Sequence, residues 1–175
     1  MICFSNKHIS FAGIADSAAI TRLLNSAYRG KESKKGWTTE AHLIAGPTRS
    51  DETEIIQLLN TAVFLKYTDE KGRLTGCVNL QQHGQRIYLG MFSVSPELQG
   101  GGIGKSILGA AEEYALAQQC SSIYMTVIAL REELVAWYMR HGYRDTGERK
   151  ILKEESHNGH HLQELEMLVL EKQIN

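Results

Sequence analysis

Proline and cysteine are scarce: the 175 residues hold two of the first and three of the second. Cys3, Cys77 and Cys120 are odd in number and have no C-x-x-C spacing, which argues against a disulfide framework and against a thiolate zinc site. No apolar run is long enough to span a bilayer. The opening stretch from Met1 to His8 lacks both an apolar core and a small-residue cleavage site, so no membrane partner is expected and the cytoplasm is the expected setting. Neither sign of charge is in excess. Lys and Arg number 19 and Asp and Glu 20, a formal net charge of −1, which leaves no electrostatic footprint for nucleic acid. The length suits one domain, 1–175, with a sizeable core, and there is no internal repeat or low-complexity tract.

Apolar periodicity supplies the elements. Ile9 to Phe11 reads as a short strand, and Asp16 opens a helix with Ile20, Leu23, Leu24, Ala27 and Tyr28 on one face. Trp37 to Glu40 reads as a cap and the start of a short helix ending near Gly46 and Pro47, and a second short helix runs from Asp51 to Asn60. The period then changes to that of strands, Val63–Tyr67, Leu74–Leu80 and Ile87–Val94, the first two joined as a hairpin. A helix with Ile103, Ile107, Ala111, Tyr114 and Ala115 on one face follows, then a strand from Ile123 to Ile128 and a helix from Arg131 to His141 closed by Gly142. Two further strands are expected near Tyr143–Lys153 and Leu162–Leu170. The succession implies a mixed α/β (α+β) fold, a central sheet flanked by helices rather than a regularly alternating one.

Against the dearth of proline stands an abundance of glycine, 16 residues, concentrated in Gln99-Gly100-Gly101-Gly102-Ile103-Gly104 between the third long strand and its helix. Glycines admit positive φ and close ligand approach, and the first turn of a helix offers unpaired amides to an anion. A phosphate is the expected occupant; a glycine-rich loop without a ligand is the alternative. A Walker loop, G-x-x-x-x-G-K-[ST], finds its end in Gly104, Lys105 and Ser106 but has Gln99 where the first glycine belongs. A dinucleotide fingerprint would need a third glycine where Ile107 stands.

The pattern that fits is Q-x-x-G-x-G, on Gln99, Gly102 and Gly104, and it resembles the pyrophosphate loop of the GNAT N-acetyltransferases. Tyr88 to Leu98 is similar to that family's strand and connection before the loop, and Arg131 to Tyr143 to its penultimate helix and glycine–aromatic end. The resemblance implies a mostly antiparallel sheet of about six to seven strands flanked by helices, and acetyl-CoA as cosubstrate. It further implies a bulged strand whose backbone at Phe92, Ser93 and Val94 faces the pantetheine arm, with Gln99 to Gly104, Lys105 and Ser106 around the pyrophosphate. Tyr138 takes the place of the family's residue beside the coenzyme thiol, as general acid. The asparagine that many relatives carry seven positions before this tyrosine is here Arg131, and the glutamate that some carry eleven before the glutamine is Tyr88, so neither contact is implied.

The implied reaction is transfer of an acetyl group to a primary amine, of a small molecule by preference, in a ternary complex. A phenol with an ordinary pKa of about 10 can donate to a departing thiolate. The amine, about 10.4 in a lysine, must shed its proton through desolvation, a base or a water relay. Tyr28, Trp37 and Glu40 are candidates for the acceptor side, as aromatic walls and an ammonium partner. Arg29, Lys31, Lys34 and Lys35 read first as a solvated basic loop and second as an anion-attracting one. His157, His160 and His161 lie in a turn without a companion ligand at zinc spacing, so no metal is expected. A monomer or homodimer is expected, and a non-catalytic acyl-CoA sensor is the alternative to an enzyme.

Overall fold

A computed structural model describes residues 2–154 and 159–175. In chain order its elements are β1 (Ile9–Phe11), α1 (Ser17–Tyr28), α2 (Gly30–Ser33), β2 (Ile44–Ala45), α3 (Glu52–Thr61), β3 (Val63–Thr68), β4 (Leu74–His83), β5 (Arg86–Val94), α4 (Ile103–Ala117), β6 (Ser122–Ile128), α5 (Glu132–Arg140), β7 (Arg144–Ile151), β8 (His160–His161) and β9 (Glu166–Gln173). Among the described residues the main sheet has seven strands in the order β1-β3-β4-β5-β6-β9-β7, and β2 and β8 form a separate pair. All neighbours in the main sheet run antiparallel except β5 and β6. None of the described helices is long and apolar enough to cross a membrane.

The sheet is buried on both faces because alternate residues of its central strands are apolar in both directions. Phe64 and Cys77 point to the face covered by α1 and α3, where Ile20, Leu23, Leu24 and Ile55 meet them. Leu65, Val78 and Leu80 point to the other face, against Ile107, Ala111 and Ala115 of α4 and Leu134 and Tyr138 of α5. The helical spacing seen in α1, at positions 20, 23, 24, 27 and 28, is therefore the spacing of its buried residues. Asp51 caps α3, its side chain accepting from the Glu54 amide at 2.8 Å.

The one parallel junction positions the site. β5, α4 and β6 form a crossover unit, so the glycine-rich loop stands at the carboxyl end of β5, where open sheets leave a crevice. β5 and β6 pair only through Arg86–Ser122, Ile87–Ile123 and Tyr88–Tyr124, and beyond that rung the strands part. A bulge helps to part them. Between the pairs Cys77–Ser93 and Asn79–Gly90, Met91 and Phe92 of β5 oppose the single residue Val78, and Met91 takes φ +47°.

The expected short helix after Trp37 is absent. Residues 41–43 make a turn instead, and Ile44 and Ala45 pair with His161 and His160. Glu40 is drawn into a buried ionic cluster, and its amide bonds to the Tyr28 carbonyl at 3.0 Å, contacts that override local helix preference. The last strand also lies further along than expected, at Glu166–Gln173, because its register against β6 sets Leu168 and Leu170 opposite Val127 and Met125.

Candidate functional site

Where β5 and β6 part, two cavities meet. The larger, about 690 Å3, opens toward the glycine-rich loop, and the smaller, about 250 Å3, toward the loop between α2 and α3. Tyr28, Phe92, Leu134 and Tyr138 line both and so form their common wall. Burial holds the nearby Cys77 thiol up to about 12, and it donates to the Met91 carbonyl at 3.7 Å, a support for the bulge rather than a nucleophile.

The glycine-rich loop enters α4 through two left-handed residues, Gly100 at φ +87° and Gly102 at +86°, a conformation that a side chain disfavours. This turn sets the first amides of α4, those of Ile103, Gly104 and Lys105, at a helix N-terminus without intrahelical acceptors. The Ser106 amide, by contrast, donates to the Gly102 carbonyl at 3.0 Å, because the fourth residue of a helix already reaches back to its cap. The Gly101 amide turns inward to the Leu98 carbonyl at 3.3 Å, and the Ile103 side chain packs on the core beside Gly76. Gln99, Gly100, Gly102, Gly104 and Lys105 line the larger cavity with Phe92 and Val94, whereas the exposed Gly101, the half-buried Ile103 and Ser106 and the buried Ser93 do not line it.

Gln99 acts as a clamp. Its Oε1 accepts from the Trp37 amide at 2.9 Å, and its Nε2 donates to Thr38 Oγ1 at 2.7 Å and to the Val94 carbonyl at 3.1 Å. Gly36 permits this, since a Cβ there would lie 2.4 Å from Gln99 Oε1. Trp37, expected on the acceptor side, instead stands at the larger cavity, its ring centroid 6.2 Å from that of Trp137. Trp137, not anticipated, lines the same cavity and packs 5.9 Å from Phe92 and 4.1 Å from His141. Helical spacing from Leu134 could have flagged it only as amphipathic.

Tyr138 is held from behind by the end of its own helix. The Tyr143 amide donates to the Tyr138 carbonyl at 3.2 Å and the Gly142 amide to the Met139 carbonyl at 3.0 Å, a Schellman closure with Gly142 at φ +94°. The Tyr143 ring meets that of Tyr138 edge to face at 5.8 Å. Among the described residues the Tyr138 hydroxyl has no hydrogen-bond partner, while the side chain as a whole is buried. Burial, with Tyr28 beside it and against the pull of Arg131, pushes its pKa well above the ordinary 10, so the phenol stays protonated.

Glu40 does not wait for an ammonium. Arg29 donates to its Oε2, Arg131 reaches its Oε1 at 3.0 Å, and Arg49 approaches its Oε2 at 3.6 Å. Burial alone would raise its pKa, but Arg49, Arg131 and Arg29 together hold the carboxyl below its ordinary 4.5. Arg29, expected in a solvated loop, is 2% exposed in this cluster, whereas Lys35 is the surface residue expected, paired with Glu32 at 2.6 Å. Arg131 also donates to the Thr38 carbonyl, so it serves the cluster. Tyr28 is buried at the junction, its hydroxyl donating to the Phe92 carbonyl. Arg49 and Glu54, which line the smaller cavity, carried no sequence signal because nothing local marks them.

His160 Nδ1 lies 2.9 Å from Glu154 Oε1 on the strand that pairs with β2, and His157 falls outside the described residues. Among the described residues no three His, Cys, Asp or Glu side chains gather as a metal site.

The model of the acetyltransferase (GNAT) family matches residues 19–143. No curated protein matches the chain. Solved structures with the same fold include the ribosomal-protein-S18-alanine N-acetyltransferase from Escherichia coli, 15% identical over 95% of this chain and 93% of that one, with a TM-score of 0.70. A GNAT superfamily phosphinothricin acetyltransferase from Sinorhizobium meliloti in complex with AcCoA is also 15% identical, over 95% and 88%, with a TM-score of 0.70. An N-acetyltransferase from Staphylococcus aureus Mu50 is 13% identical over 95% and 96%, with a TM-score of 0.72.

Proposed function

Since the chain belongs to the GNAT family of acetyltransferases, we propose that it moves an acetyl group from acetyl-CoA to the primary amine of a small molecule by direct attack in a ternary complex, with 1–175 working as one domain. The observation that carries this reading is the pair of cavities joined at Tyr138 and Phe92, one for the donor and one for the acceptor. Reduced cysteines, all three free, suit a cytoplasmic setting.

The residues fit the coenzyme. The amides of Ile103, Gly104 and Lys105 supply donors for a pyrophosphate at the positive end of the α4 dipole, and the Lys105 ammonium adds charge at the same rim. Past Tyr88 the edge of β5 is parted from β6, so the backbone of Phe92, Ser93 and Val94 flanks a pantetheine arm where a further strand would lie, with the Phe92 and Val94 carbonyls already taken by Tyr28 and Gln99. Phe92 and Trp137 wall the thioester end. When bound, the coenzyme supplies an acyl carbon already activated as a thioester.

An amide of the Phe92–Val94 segment then meets the negative charge that grows on the acyl oxygen. The new C–N bond forms and the C–S bond breaks, Tyr138 delivers its proton to the departing thiolate, and the proton that the amine nitrogen gives up passes through water to restore the phenol. No covalent acyl-enzyme is required, because both reactants are held at one junction. The small acceptor cavity favours a small molecule over a protein acceptor.

A thiol-release assay with acetyl-CoA across amines, amino acids, polyamines, aminoglycosides and peptides tests the reading. Acceptor-dependent release supports it. Tight coenzyme binding without release by any acceptor would leave a non-catalytic sensor in its place.

A further inference from the structure

The smaller cavity presents an arginine whose hydrogen-bonding capacity is unused. Glu40 already accepts from Arg29 and Arg131, and Arg49 stands off at 3.6 Å, beyond hydrogen-bond reach. Among the described residues the Arg49 guanidinium has no hydrogen-bond partner, and its Nε is buried without one. Its side chain is 29% exposed, and it lines the smaller cavity. The terminal nitrogens of this guanidinium make no hydrogen bond among the described residues and stand on a cavity wall, a state that suits a planar anion, since a carboxylate meets such a pair of donors with two parallel bonds.

The position of Arg49 ties that anion to the reaction. Its guanidinium lies over the Tyr28 ring, 4.6 Å from the centroid, and the Tyr28 hydroxyl reaches the Phe92 carbonyl at the junction. One aromatic ring thus separates an anion subsite from the place where the amine must attack. On the same cavity wall Glu54 has one carboxylate oxygen engaged by Ser50 Oγ at 2.5 Å and the other without a hydrogen bond among the described residues. The cavity, about 250 Å3, holds a molecule of amino-acid size, and Leu89, Met125 and Val127 give it an apolar floor.

We infer that the acceptor is an amino carboxylate, a small primary amine whose carboxylate is seated on the Arg49 guanidinium. The inference rests on the acetyl-transfer reading and narrows its acceptor. Arg49 acts as a specificity-determining residue: it holds the acceptor by its acid end and leaves the amine to face the thioester.

The test uses matched acceptors in the thiol-release assay: leucine against isopentylamine and leucine amide, and methionine against 3-(methylthio)propylamine. Each amino acid should exceed its decarboxylated or amidated partner about 10- to 100-fold in kcat/KM, the worth of one charge-assisted hydrogen-bonded pair. In Arg49→Gln that ratio should fall toward one, mainly through KM, with the circular dichroism spectrum unchanged. Should Arg49→Gln fail to fold, the ratio in the unaltered protein still decides. Amines turned over as well as or better than their amino acids would overturn the inference while leaving acetyl transfer intact. If no acceptor releases thiol, calorimetric titration of leucine and isopentylamine into the protein with coenzyme A decides. Binding of leucine alone upholds the acid-binding subsite and removes acetyl transfer, whereas binding of both alike, or of neither, removes the subsite.

Discussion

The Tyr28 hydroxyl donates a hydrogen bond to the carbonyl of Phe92, which ties the last turn of α1 to the bulge of β5. Both residues line both cavities, so the bond fixes the wall that the two share.

Tyr28→Phe removes the donor and leaves a partly buried carbonyl without this partner, at a cost of about 1–3 kcal/mol. Thermal unfolding should shift down by about 2–10 °C for a chain of this size. Turnover should fall as well, because the bulge loses its anchor. An unchanged melting temperature would mean that the carbonyl finds another donor.

Tyr138→Phe should lower kcat about 10²- to 10⁴-fold while the dissociation constant of coenzyme A stays within threefold. Burial, together with Tyr28, keeps this phenol protonated past its ordinary range. A plot of rate against pH should accordingly show no fall from loss of the Tyr138 proton below about pH 10. Full activity in the variant would remove Tyr138 as the acid.

Glu40 makes stability sensitive to acid. Its folded pKa lies below the ordinary 4.5, so below that pH the unfolded chain binds more protons than the folded one. The stabilisation is complete above about pH 4.5 and is lost as pH falls through the lowered folded value. Glu40→Gln should flatten that acid limb in urea titrations at several pH values. Glu40→Ala should cost about 3–5 kcal/mol at neutral pH, because it leaves three guanidiniums without their shared anion.

Gly36→Ala and Gln99→Ala act on one contact. A Cβ at Gly36 would press on Gln99 Oε1, and the second change removes the clamp itself. Each should weaken coenzyme binding several-fold, and the double variant should be no worse than Gln99→Ala alone. Additive losses in calorimetric titration would show that the two residues serve separate ends. Gly13→Ala, where a Cβ meets nothing within 4 Å, serves as the neutral control.

What could be read from the chain was what contiguous residues decide. The turn into α4 is written in Gly100 and Gly102, and the Schellman end of α5 in Gly142 and Tyr143, so both were legible. The ionic cluster was not, because it joins Arg29, Glu40, Arg49 and Arg131 from four separate segments. The same cause misled the reading of the residues after Trp37: a capped helix satisfied local rules, while Glu40 is held by partners elsewhere in the chain. Arg49 illustrates the limit, since its significance lies in which bonds its neighbours have already made.

The three rungs between β5 and β6 divide the sheet into two unequal leaves. One leaf, β1-β3-β4-β5, is built from the first 94 residues and the other, β6-β9-β7, from those after 121. The seam between them holds both cavities, so each cavity has one wall from the front of the chain and one from the back. Of the paired residues Tyr88 alone lines a cavity, so substitutions at Arg86, Ile87, Ser122 or Ile123 would change the angle between the leaves without touching a residue that lines either one.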